Sequence, residues 1–358
     1  MKTGLTLTEL AQELERQTAA KRDFVADTRT LEFSVPSITE RREGFALGMD
    51  LDGSSERFPL LPHTHSQLAS RLNIPRVYWD RMMEEAPALL KSNVDHWFKE
   101  RPERRMVRTM FGNARAFLSE RYRPLDNSDL AEAILPKLLE RRLDIQSCQI
   151  TDQRLYIKAF APDVEAAVKV GDTVRAGICI SNSEVGCGSL SVEPYVLRLV
   201  CLNGMKVPMS GLKKYHVGRK TGDNIEDARE FFRDETRAAD DKAFFLKARD
   251  TVDALLDPER FDIVVGKLRD ATERHMEGDP VKAIEVAQKR FRWNEGESSS
   301  ILRHLIQGAD LSQYGLVQAV TRAAEDVEDY DRATDLERDG GNVLELNKRD
   351  WSQIAAAA

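Results

Sequence analysis

The sequence predicts an α+β protein: a small central antiparallel sheet backed by a helix, helical elements before it, and a helical region after it. Three observations carry this expectation. Residues 144–182 alternate apolar and polar side chains in short runs. The chain beyond residue 222 repeats apolar residues every three or four positions almost throughout. Residues 64–87 hold two helical patterns separated by Asn73-Ile74-Pro75.

The elements follow in order. Residues 5–20 form an amphipathic helix that Thr6 or Thr8 can cap, and 21–62 is irregular or strand-rich, with Gly and Pro breaks. Pro75 suits the first turn of the second helix in 64–87. That pair is similar to a helix-turn-helix, whose second helix would present Arg76, Tyr78, Trp79 and Arg81. A helix spans 88–104, a hairpin turns at "GNAR" (112–115), and a helix restarts after the cap candidates Asp126–Ser128. Two strands then flank the turn "TDQR" (151–154), and "TVRAGICISNS" (173–183) places Val174, Ala176, Ile178 and Ile180 on one face. "PYVLRLVCLNG" (194–204) has Pro at its start and Asn-Gly at its end, which favours a buried helix, with a strand as the alternative. Gly204 should then take positive φ as a terminator. Helices follow at 225–256, 259–276, 280–290 and 298–308, and a last one runs into an acidic, Gly-broken tail. The domains expected are 1–100, a mixed region with the helical hairpin; 101–222, the α+β core; and 223–358, the helical region with its acidic tail.

With 41% apolar and 32% charged residues the chain can bury a sizeable core, and it has no apolar run of the roughly 20 residues that span a bilayer. The first residues turn amphipathic at once, without a signal-peptide core, so a cytoplasmic protein with no membrane partner is expected. Cys148, Cys179, Cys187 and Cys201 contain no Cys-x-x-Cys pair, and His63 and His65 have no second ligand pair, so neither a metal nor a cofactor is expected. No enzyme is expected either. No Gly-x-Ser-x-Gly elbow, P-loop or dinucleotide fingerprint is present. Cys201 with His216, or Asp152 with Lys158, are pairings of a kind that any chain offers. Gly186-Cys187-Gly188-Ser189 could turn backbone amides toward a phosphate, but tight-turn geometry explains these glycines equally well.

The net charge of −7 hides a segregation. Residues 101–125 hold seven Arg against two Glu, 198–220 hold six Lys or Arg and no acid, and 310–345 is strongly acidic. Cations neutralise phosphates with release of counterions, and interleaved aromatics stack on unpaired bases. The first basic segment offers Arg105, Arg108, Arg115, Arg121, Tyr122 and Arg123 as nucleic-acid-binding residues. The second offers Lys206, Lys213, Lys214, Tyr215, Arg219 and Lys220, and the two are expected to share one groove that the acidic tail can cover.

"VRTMFGNARAFLSERYRPLDN", "ISNSEVGCGSLSVEPYVLRLVCLNGM" and "YGLVQAVTRAAEDVEDYDRATDLERDGG", in this order, resemble the phage/plasmid-like family of unknown-function domains. Asn182-Ser183-Glu184, Gly186 and Cys201-x-Asn203-Gly204 fit its hallmark positions. The resemblance implies DNA replication, recombination or maintenance. The architecture is also similar to that of phage single-strand annealing proteins. The function expected is non-sequence-specific single-stranded DNA binding or annealing by a homo-oligomer, with duplex DNA or RNA as other ligands. The alternative is a non-catalytic regulatory or protein-interaction module acting through the acidic C-terminal region.

Overall fold

The computed structural model describes residues 1–36, 44–51, 53–122, 125–208, 212–214 and 234–357. Helix α1 (Leu7–Ala20) starts at Thr6, whose hydroxyl accepts from the Glu9 amide while the Glu9 carboxylate accepts from the Thr6 amide. Strand β1 (Lys21–Asp27) leaves it directly. Strands β2 (Glu32–Ser34), β3 (Ala46–Leu51) and β4 (Ser54–Pro59) form a small antiparallel sheet. Helices α2 (Pro62–Arg71), α3 (Arg76–Glu85) and α4 (Pro87–Glu100) follow, two of them with Pro in the first turn. Strands β5 (Arg104–Met110) and β6 (Asn113–Ser119) pair with β1 in the order β1-β5-β6. Their hairpin turns at Phe111-Gly112, both at positive φ. A first core joins β2–β4 to α2–α4 through Phe33, Leu47, Phe58, Leu68, Trp79 and Phe98.

Helix α5 (Asn127–Glu140) leads into the central sheet of β7 (Asp144–Ile150), β8 (Leu155–Lys169), β9 (Asp172–Asn182), β10 (Leu190–Arg198) and β11 (Gly204–Lys206). These strands are antiparallel and lie in sequence order, and β12 (Leu212–Lys214) also pairs with β10. The fold class stands as expected, but among the described residues the sheet has six strands rather than three. Residues 194–204 are strand and turn, not helix. Both faces of β10 are covered, so its apolar run lacks the alternation of a half-exposed strand. Pro194 fits because β12 pairs with 190–192 and β11 with 195–197, leaving 194 between the two ladders. Its carbonyl points to that side and accepts from the Val207 amide, so the missing N–H falls in the gap. Gly204 is in β11, and the left-handed residue of the turn is Leu202, φ 56°. Glycine is required at 204 for a different reason: a Cβ there would lie 2.1 Å from the Tyr195 hydroxyl.

Helices α6 (Asp234–Leu255), α7 (Pro258–Thr272), α8 (Pro280–Phe291), α9 (Glu295–Gly308), α10 (Gln313–Asp326), α11 (Tyr330–Leu344) and α12 (Lys348–Ala355) complete the described chain. The last six each begin on Asp, Asn or Ser, whose side chain accepts from a first-turn amide. The acidic stretch 310–345 is therefore not a tail. It forms α10 and α11, and Gly340 and Gly341 continue the helix instead of breaking it. Among the described residues no helix is long and apolar enough to cross a membrane.

The two faces of the central sheet differ. One carries Ile157, Val174, Ile178, Ile180 and Val192 into the main core with Leu130 and Ile134 of α5 and Ala248 of α6. The other carries Tyr156, Lys158, Phe160, Cys179 and Tyr195 against Tyr330 of α11. There Lys158 Nζ lies 2.8 and 2.7 Å from the Glu337 carboxylate oxygens, and both side chains are 0% exposed. Burial alone would lower the Lys158 pKa; Glu337 reverses this and raises it, so the ammonium is retained. Tyr156 donates to Asp331 at 2.7 Å, and Lys206 Nζ lies 3.2 Å from Glu193.

Candidate nucleic-acid groove

The structure divides the twelve predicted cationic and aromatic residues. Arg108, Arg115, Tyr122 and Lys206 are 0, 3, 5 and 1% exposed, so they cannot line a nucleic-acid surface. Arg108 donates to Asp23 at 2.9 Å, to Asp126 at 3.1 Å and to the Glu184 carbonyl at 2.8 Å. Arg115 Nη1 is 2.9 Å from Glu184. The physical reason is compensation: a buried guanidinium needs carboxylates around it, and this fold supplies them from distant segments. Lys213 and Lys214 lie on β12 opposite Ser191 and Leu190. Arg123, Tyr215, Arg219 and Lys220 lie outside the described residues.

Glu184 is the hub of a joint between β1-β5-β6 and the central sheet. Its carboxylate accepts from Lys21 Nζ at 3.1 Å and from the Asn127 amide at 2.6 Å, and faces Arg115. Asn182 donates to the Leu125 carbonyl at 2.7 Å and to Asn127 Oδ1 at 2.9 Å. Asn203 donates to Gln318 at 2.8 Å and Thr321 at 2.6 Å, tying the β10–β11 turn to α10. Asn182 thus satisfies a backbone carbonyl as well as a side chain, whereas Asn203 binds side chains.

Beside this joint lies an open groove of about 990 Å³. Helix α2 forms one wall with Ser66, Gln67, Ser70 and Arg71; Asn73 and Arg76 extend it; β6 and Arg121 form the other wall. The floor is the loop after β9, at Gly186 and Cys187. Gln67 holds the parts together, donating to the Val185 carbonyl at 2.6 Å and accepting from the Phe117 amide at 2.7 Å. Arg154 secures the loop from behind through the Cys187 carbonyl, at 2.8 and 3.2 Å.

Among the described residues four arginines line this groove (Arg71, Arg76, Arg105 and Arg121), and none of the lining is an Asp or Glu. Arg71 and Arg105 share Glu103, and Arg76 pairs with Asp80 at 2.8 Å. These carboxylates hold the guanidinium groups from outside the lining. Arg105 and Arg121 were legible as candidates; Arg71 and Arg76 belong to the helical hairpin and were separated from the basic segments by sequence distance. The hairpin does have a left-handed turn residue, Asn73 at φ 54°. Trp79 is 0% exposed and donates to His65 Nδ1 at 3.3 Å, so α3 does not present it to a ligand. His63 is also structural, its Nε2 against the Arg115 carbonyl.

The chain belongs to the family described as a domain of unknown function, DUF932, whose model matches residues 115–348. That span begins inside β6 and runs to the first residue of α12, so it contains Glu184, Asn182 and the sheet–α11 ion pairs, whereas Lys21, Asp23 and Arg108 of the joint lie before it. No curated protein and no solved structure matches the chain.

Proposed function

We propose that this protein binds nucleic acid without sequence preference, as a non-catalytic single-strand binding or annealing protein of phage or plasmid recombination and replication, and that the groove between α2 and β6 is its contact surface. The observation that carries the reading is the lining: among the described residues, four arginines and no acid around about 990 Å³. Guanidinium groups suit the phosphate backbone because they donate in pairs and are always charged. Phe117 lines the groove but is 3% exposed, which favours backbone contact over base stacking. Two acids of α11 weigh against the acidic-module alternative, because Glu337 and Asp331 are taken up by Lys158 and Tyr156.

The test is a salt series on single-stranded DNA, duplex DNA and RNA. Arg76→Gln with Arg121→Gln should weaken binding at every sequence and reduce the salt slope by about one or two charges, with the melting temperature unchanged. Wild-type affinity and slope in that double variant would remove the groove from the function. Light scattering of the same samples reads whether the protein is a homo-oligomer, free or on a strand.

A further inference from the structure

The far end of the central sheet holds a second, smaller site. Strand β8 starts beside Gln153 in the groove and ends at Lys169, so this site is separated from the groove by the length of that strand. Lys169, Arg198 and Asn203 meet the end of α9 at His304 and one stripe of α10, Tyr314, Gln318 and Arg322, around a pocket of about 70 Å³. Each ordered water needs about 10–15 Å³ of such space, so the pocket has room for a handful of oxygen-sized atoms and none for a nucleoside.

Its charges are only partly compensated. Arg198 donates to Asp172 from two nitrogens at 2.7 Å, and Asp172 also accepts from the Tyr314 hydroxyl at 2.8 Å. Lys169 Nζ lies 2.8 Å from Asp310, the one acid in the lining among the described residues, which also accepts from Ser312. Arg322 has no carboxylate within 4 Å among the described residues. Its Nη1 lies 3.8 Å from Cys201 Sγ, and Arg198 Nη1 lies 3.7 Å from the same sulfur. Two guanidinium groups therefore converge on one thiol, and only one of them has a carboxylate partner. Like charges at this separation repel, and an anion accepting from both removes the repulsion.

We propose that this pocket is an oxyanion site that takes one phosphate-sized group, with Arg322 and Arg198 as its donors and Lys169 as the third cation. The group comes either from free phosphate or from the terminal phosphate of a strand, since both present the same tetrahedral oxygens. The site does not depend on the groove.

The probe is inorganic phosphate, titrated into the full chain by calorimetry and followed by melting temperature, against sodium chloride at matched ionic strength. Saturable binding is expected in the wild type and at least a ten-fold loss of affinity in Arg322→Gln, with Lys267→Gln, an exposed cation of α7 outside both sites, unaffected. Arg322 is exposed on α10, and Lys169→Gln gives the same reading if the first variant melts early. A second arm compares 5′-phosphorylated and 5′-hydroxyl oligonucleotides of one sequence. A preference for the phosphorylated end that Arg322→Gln abolishes assigns the strand terminus; saturation by phosphate with no end preference assigns the free ion. The proposal is overturned if phosphate behaves as chloride does and the 5′ group makes no difference, or if both variants keep wild-type affinity.

Discussion

Glu337 and Lys158 show how much one buried pair weighs here. Each is fully enclosed, and Lys158 also sits 4.8 Å from the Tyr330 ring centre and 5.4 Å from that of Tyr195. Removing one partner strands the other charge in the interior. Glu337→Ala should therefore cost about 3–5 kcal/mol, whereas Lys158→Met with Glu337→Leu should fall within about 2 kcal/mol of wild type. Urea unfolding of the two variants measures the difference, and equal losses would mean that the pair is stabilising in itself. His65 is the second residue whose environment decides its chemistry. Burial, aided by the Arg76 charge, lowers its pKa to about 4, and it accepts from Trp79 in the neutral form. A histidine depressed on folding contributes stability that is present above its unfolded value of about 6.5 and lost as pH falls through about 4. The full shift corresponds to about 3 kcal/mol. His65→Phe should be less stable at pH 7 yet lose less between pH 6.5 and 4; parallel pH–stability curves for the two proteins would exclude His65 as the titrating group.

At the scale of elements, α11 shows why a glycine pair need not break a helix. A Cβ on Gly341 would lie 1.9 Å from the Lys206 carbonyl oxygen, so the helix can approach β11 only where the side chain is absent. Gly266 in α7 has nothing within 4 Å of the same position. Gly341→Ala should thus lower stability by more than about 2 kcal/mol, because backbone must move. Gly266→Ala should raise it by about 0.4–1 kcal/mol through the unfolded chain. Thermal melts of both variants check the pair, and a neutral Gly341→Ala would contradict the close approach. The same approach seats α11 against the short β11, which pairs with β10 on its other side.

Across the whole molecule, charge follows folding more than sequence neighbourhood. The basic segment 101–125 splits: Arg108 and Arg115 enter the Glu184 joint, while Arg105 and Arg121 reach the groove. The groove is completed by Arg71 and Arg76 from a helical hairpin that carries no basic excess of its own. The consequence for binding experiments is specific. Arg108→Gln should act on stability and on strand binding together, since it uncouples the N-terminal sheet, whereas Arg76→Gln should act on binding alone. Paired melting and binding curves separate the two, and a normally stable Arg108→Gln protein with weakened binding would put Arg108 on the surface.

What the sequence determined by itself is the local layer. Period and punctuation placed α1 behind Thr6 or Thr8, the two helices around Asn73, the β5–β6 hairpin, β8, β9 and the helices α7 to α10, but not α11 and α12, because caps, turns and side-chain periodicity act within a few residues. The motif resemblance marked Asn182, Glu184 and Gly204 as special without saying why. Tertiary structure decided the rest. Whether an arginine is a surface cation or a buried ion-pair partner depends on carboxylates that are distant in the chain: Asp23 and Asp126 around Arg108, and Glu184 beside Arg115. Whether 194–198 is helix or strand depends on which neighbours offer a ladder. The groove and the oxyanion pocket are both made where segments far apart in sequence meet, and burial and Coulomb interactions are set by distance in space, which no periodicity along the chain encodes.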